Sequence, residues 1–217
     1  MMTKRITCRF VCASLLMFSL PAIADTGPSG RYRLVGGPDV ASDLDIKPDG
    51  RFAYALSAGA LDEHADGYWR ATGQVLQLFT DPKPVPAIFS EEPALKTDRE
   101  ELTLLVTWPN GRGIAGIDFK IGFAAGDPVV GYTQEYGWSL SPDEARVPIW
   151  IELVEPIHGV VSPRFPLDTS KGSALRFILT PNDIEVFDFQ GAQIDVLGDQ
   201  LVLHRSGVEL KYNRIRY

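Results

Sequence analysis

The stretch Lys47-Pro48-Asp49-Gly50-Arg51-Phe52-Ala53-Tyr54-Ala55-Leu56-Ser57 holds the turn and the strand from which the fold class follows. Proline presets the backbone at the first turn position, and glycine accepts the positive φ that closes a tight hairpin. Beyond the turn, Phe52, Tyr54 and Leu56 fall on one face and Ala53, Ala55 and Ser57 on the other. That alternation is the signature of a half-buried strand. The bulky face belongs to a core, and the small face leaves room for something to pack close to it.

Working outward from this hairpin, the same pattern predicts strands near 31–36, 42–47, 67–71 and 74–80, so the N-terminal region reads as a meander. Asp81-Pro82-Lys83-Pro84-Val85-Pro86 interrupts it, because proline has no N–H to give a central strand. Further strands are expected near 102–108, 115–124, 129–134 and 147–155, followed by a connector rich in proline and glycine up to residue 172. Short alternating segments return near 174–180, 184–189, 192–197, 200–205 and 208–215. No window of helical length keeps an apolar stripe at i, i+3, i+4 and i+7, and the helix-like pieces near 93–102 and 141–144 are single turns at most. The chain is predicted to be all-β.

Two resemblances refine that expectation. The opening Gly30-Arg31-Tyr32, followed by a meander with tight turns, resembles the start of a lipocalin-like (calycin) barrel, with Tyr where that family usually has Trp. The run from Asn110-Gly111-Arg112-Gly113-Ile114-Ala115-Gly116 to Ile121, with Gly131-Tyr132-Thr133-Gln134-Glu135-Tyr136-Gly137, resembles the transthyretin-like regulatory modules of carboxypeptidases. Together they imply a split lipocalin-like meander barrel with an inserted β-sandwich. The signal peptide is then 1–24, the N-terminal barrel meander 25–94, the insert 95–172 and the C-terminal barrel meander 173–217. Two consecutive β-sandwiches are the alternative. Closure into a barrel removes the free sheet edges that promote aggregation.

The first 24 residues carry Lys4, Arg5 and Arg9, an apolar stretch from Phe10 to Leu20, and Pro21-Ala22-Ile23-Ala24, the order of an export signal cut near Ala24. The apolar stretch is shorter than the roughly 20 residues that span a bilayer, and no later segment is long enough. A periplasmic or secreted product is therefore expected, with both cysteines, Cys8 and Cys12, lost with the signal. Loss of three cations takes the formal charge from −7 to −10. That sign argues against nucleic acid and anionic membrane as partners. The polar face read back from Tyr217 likewise argues against a terminal strand facing lipid.

Chemistry is sparse. Asp62, His64 and Asp66 are the weak candidates for a metal, and they lack ligand spacing. No Gly-x-Ser-x-Gly turn is present, His158 lies in a proline-rich loop, and His204 lies in a strand with no partner visible in the sequence. No catalytic residue, cofactor or metal is assigned, and the residues point away from an enzyme. Two functions stay open. One is an exported interaction or scaffolding module whose partner is an envelope protein. The other is a carrier that holds a small apolar ligand inside a barrel lined by Tyr32, Phe52, Tyr54, Leu56, Trp69, Leu76 and Leu78.

Overall fold

A computed structural model describes residues 27–95 and 101–216. The expected export signal, its cleavage point near Ala24 and Tyr217 lie outside the described residues. No helix is present among those described.

The N-terminal strands are β1 (Gly30–Leu34), β2 (Val40–Ile46), β3 (Arg51–Ala58), β4 (Leu61–Thr72) and β5 (Val75–Thr80). The middle of the chain forms β6 (Ile88–Leu95), β7 (Thr103–Thr107), β8 (Asp118–Phe123), β9 (Val129–Tyr132), β10 (Trp138–Ser139), β11 (Pro148–Glu155), β12 (Val160–Val161), β13 (Phe165–Pro166) and β14 (Ala174–Thr180). The last three strands are β15 (Gln190–Leu197), β16 (Gln200–Arg205) and β17 (Val208–Arg214). Strands β1 to β5 and β15 to β17 close an eight-stranded antiparallel barrel in the order β1-β17-β16-β15-β5-β4-β3-β2. Two seams join the ends of the chain: Tyr32 faces Arg214 across β1 and β17, and Gln193 faces Gln77 across β15 and β5. The alternative of two consecutive sandwiches does not survive these pairings.

The Pro48-Asp49-Gly50 hairpin forms as its chemistry dictates. Gly50 takes φ +84°, the Asp49 carboxylate accepts the Arg51 N–H at 3.0 Å, and the Lys47 N–H donates to the Arg51 carbonyl at 2.9 Å. Strand β4 is longer than the expected 67–71. Leu61, Glu63, Ala65 and Gly67 alternate inward, and the charged Glu63 in that set hides the strand from a hydrophobic pattern. At Gly67 the backbone of β5 comes so close that a Cβ would sit 2.0 Å from the Phe79 carbonyl oxygen.

The inserted module is a sandwich of two sheets, β10-β7-β14-β6 and β12-β11-β8-β9, with β13 also pairing β11. Leu104, Val106, Phe119, Ile121, Ile151, Leu153, Phe177 and Leu179 fill the space between them. Strands β7 and β14 run parallel, and the crossover between them consists of the second sheet, its loops and the two-residue β10 of the first sheet. Sheet pairing draws the insert wider than 95–172, because β6 pairs β14 from Ile88–Thr180 onward. The segment 174–180, expected in the C-terminal meander, is a sandwich strand. Its Leu175, Phe177 and Leu179 alternate equally well for either sheet, and a period of two does not say which sheet a strand joins. Residues 184–189, expected as a strand, form a strap in which Val186 bridges His64.

The residues behind the transthyretin-like pattern have local structural work. Thr133, fully buried, donates from its hydroxyl to the Ile114 carbonyl at 2.6 Å and accepts the Ile117 N–H at 3.2 Å, which ties the 113–117 bend to the end of β9. At Gly113 a Cβ would lie 1.8 Å from the Glu135 carbonyl oxygen.

Candidate functional site

The barrel interior brings together most of the residues expected to line a ligand cavity. Tyr32, Phe52, Tyr54, Leu56, Leu76 and Leu78 are all buried there, among Leu44, Ile46, Ile194, Leu201, Leu203 and Tyr212. Trp69 packs against this cluster from a half-buried position and donates its indole N–H to the Lys47 carbonyl at 3.0 Å. The residue that sequence reasoning missed is Phe189, 2% exposed, which arrives on the strap that returns from the sandwich. Its ring meets Phe52 at 5.7 Å, Tyr54 at 5.1 Å and Phe187 at 4.7 Å, all edge-on, the arrangement favoured by aromatic quadrupoles. Backbone bonds fix the strap: the His64 N–H donates to the Glu185 carbonyl and the Phe187 N–H to the His64 carbonyl, both at 2.9 Å. Thr80 holds its far side, its hydroxyl donating to the Phe187 carbonyl at 2.8 Å and accepting the Phe189 N–H at 2.9 Å. These rings pack inside the barrel beside the residues expected to line a cavity.

A polar network closes the end of the barrel where the strap enters. The Arg205 guanidinium donates to the Tyr54 hydroxyl at 2.5 Å, forms an ion pair with Glu63, and lies 3.6 Å from the centre of the Phe187 ring. Arg205 and Glu63 both have side chains only 13% exposed. The Ser42 hydroxyl donates to the Ala55 carbonyl at 2.6 Å and shares a 2.8 Å hydrogen bond with Tyr212. Burial pushes the Tyr212 phenol well above its ordinary range against the opposing Ser42 bond. Burial also raises Tyr54 and Tyr32, against the pull of Arg205 and Arg214 respectively.

A phenol whose folded pKa is raised contributes stability in full below its unfolded value of about 10, and that contribution is lost as pH rises through the folded value. Unfolding free energy is therefore expected to fall as pH climbs past about 10. In a tyrosine absorbance titration, Tyr32, Tyr54 and Tyr212 are expected to ionise only as the barrel unfolds. Reversible ionisation of all three in the folded state would contradict their burial.

The metal candidates lie elsewhere. Asp62, His64 and Asp66 share the exposed outer face of β4, and the Ser57 hydroxyl donates to Asp62 at 2.6 Å. Among the described residues no group of three or more His, Cys, Asp or Glu side chains is placed to hold a metal ion. Also outside the barrel, a groove of about 280 Å³ runs over Ala53 and Ala55 between Arg31, Arg33, Asp43 and Asp45. It is the consequence of the small face of β3. His204, without a visible partner in the sequence, has its Nε2 2.9 Å from Asp195 on the neighbouring strand, an exposed cross-strand pair. His158 lines a cleft of about 530 Å³ between the linkers and the sandwich, with its Nδ1 3.2 Å from Glu155. Glu155 also accepts the N–H groups of Ile157 and His158, so this pair caps a turn.

Fold and interior together define an all-β protein built on a closed eight-stranded antiparallel barrel with an inserted sandwich. The chain matches no protein-family profile, no curated protein and no solved structure.

Proposed function

We propose that this protein is an exported, non-catalytic interaction or scaffolding module of the cell envelope, in which a lipocalin-like barrel is the structural body and a transthyretin-like sandwich presents the binding surface to an envelope protein. The observation that carries this reading is the ring cluster inside the barrel, where Phe189 packs edge-on against Phe52 and Tyr54; we read it as a filled interior that leaves a carrier no room for its ligand. The sandwich supplies a second support. Its β12-β11-β8-β9 sheet has Val161, Val154, Asp118 and Tyr132 in one outward row. Val161 and Tyr132 in that row are each 60% exposed. Large apolar side chains left exposed together on one solvent face are what marks a protein-binding surface.

A photoreactive side chain placed at Val161, and as a control at Lys211 on the outside of the barrel, tests the proposal in intact cells. A discrete adduct with a different envelope protein is expected at 161 and not at 211. Equal adducts at both positions, or none at 161, would overturn it.

A further inference from the structure

We propose that two copies of this chain pair through the free edge of β9, extending the β12-β11-β8-β9 sheet across a twofold axis at Gly131. The inference needs only the purified protein: it uses the edge of β9, whereas the envelope partner is probed at Val161 on the far side of the same sheet, with Tyr132 common to both surfaces.

A sandwich has four sheet edges, and three of them here are blunted. β6 carries Glu91, Glu92 and Pro93, β10 is two residues long, and the edge beside β11 consists of the two-residue β12 and β13, with Pro163 and Pro166. Charge, proline and shortness are the usual defences against edge pairing. β9, Val129–Tyr132, has neither charge nor proline within it and, among the described residues, pairs only with β8.

Hydrogen-bond parity fixes which groups are available. The Thr133 N–H donates to the Ile117 carbonyl at 2.9 Å, so Val129 and Gly131 direct their backbone groups toward β8 and Val130 and Tyr132 direct theirs away from it. No backbone bond from Val130 or Tyr132 to a loop is present among the described residues. In an antiparallel pairing centred on Gly131, Val130 lies opposite the second copy's Tyr132, and the reverse, as two fully hydrogen-bonded pairs. Centring on Val130 would instead set Tyr132 against Pro128, which has no N–H to give. The Gly131 register also places the two Gly131 residues as a non-bonded pair, where Cα atoms approach to about 4.5 Å. Phe119 lies over this glycine, 2.7 Å from where a Cβ would be.

The side chains agree with that register. Val130 and Tyr132, 65% and 60% exposed, form two β-branched–aromatic pairs, a favourable cross-strand combination. In β8, Lys120 flanks Val130 and Asp118 flanks Tyr132. Each row across the seam thus runs from Lys120 of one copy to Asp118 of the other, and opposite charges flank both Val–Tyr pairs. A seam of this length belongs with small, transient interfaces, so association is weak.

Sedimentation equilibrium of the full chain with Cys8 and Cys12 changed to serine, from about 10 µM to about 1 mM, should show a monomer–dimer equilibrium. Val130→Lys should weaken it at least about tenfold by adding edge charge beside Lys120. A register test uses the same background: Val130→Cys and Tyr132→Cys proteins mixed under mild oxidation should crosslink to each other far faster than either alone. A protein monomeric throughout the range, a dimer indifferent to Val130→Lys, or crosslinking as fast within each single variant as in the mixture would overturn the proposal.

Discussion

Replacing Phe189 by alanine is expected to lower the free energy of unfolding by about 3–5 kcal/mol, the cost typical of removing a buried ring and leaving a cavity. The size follows from the position of the ring, which is almost wholly buried and in edge contact with Phe52, Tyr54 and Phe187. Collapse of the cavity is opposed because the strap on both sides is fixed by backbone bonds to His64 and Thr80. The check is urea unfolding, with the midpoint falling and the slope unchanged. A loss under about 1 kcal/mol would mean that Phe189 does not plug the barrel. Because the cavity would be lined by apolar rings, the same variant should gain the ability to bind a small aromatic molecule such as benzene, which would restore some of the lost stability.

The second large effect is expected at Arg205. Changing it to methionine leaves Glu63 buried and unpaired and deprives the Tyr54 hydroxyl of its donor, a loss of about 3–5 kcal/mol by the measure of broken buried ion pairs. Changing Glu63 to leucine in the same chain removes the orphaned charge, and the double variant is expected to recover most of the stability. That asymmetry separates a buried pair from a surface one, for which the loss would be within about 1 kcal/mol and the second change would recover nothing. Denaturant unfolding of the two single variants and the double variant reads both terms.

The barrel was legible in the sequence where turn chemistry and alternation agree. The Pro48-Asp49-Gly50 hairpin, the inward set Phe52, Tyr54 and Leu56, and strand 200–205 are found where the residues put them. The first half of β4 was not legible because Glu63 breaks the apolar alternation, and its inward position makes sense only once Arg205, 142 residues away in sequence, is seen to face it. Which sheet a strand joins was equally hidden. Leu175, Phe177 and Leu179 carry the same period as barrel strands, and only the pairing of β14 with β6 and β7 assigns them to the sandwich.

The candidate site shows the same division. Phe52, Tyr54 and Leu56 were identified from alternation and Tyr32 from the Gly30-Arg31-Tyr32 opening, but whether the space between them is free depends on a residue from outside those patterns. Phe189 follows Phe187 in a segment whose alternation suggests an ordinary strand, and nothing local marks it as the ring that enters the barrel. The exposed partners of His204 were hidden for a related reason, since Asp195 is brought beside it by the β15–β16 register.

The state of the barrel interior separates an interaction module from a carrier, and native mass spectrometry of the protein exported and purified without denaturation addresses it. The mass of the polypeptide alone is expected. A stoichiometric small-molecule adduct that dissociates on unfolding, and that is lost when Leu56 is enlarged to tryptophan in a still-folded chain, would contradict the filled barrel and restore the carrier reading.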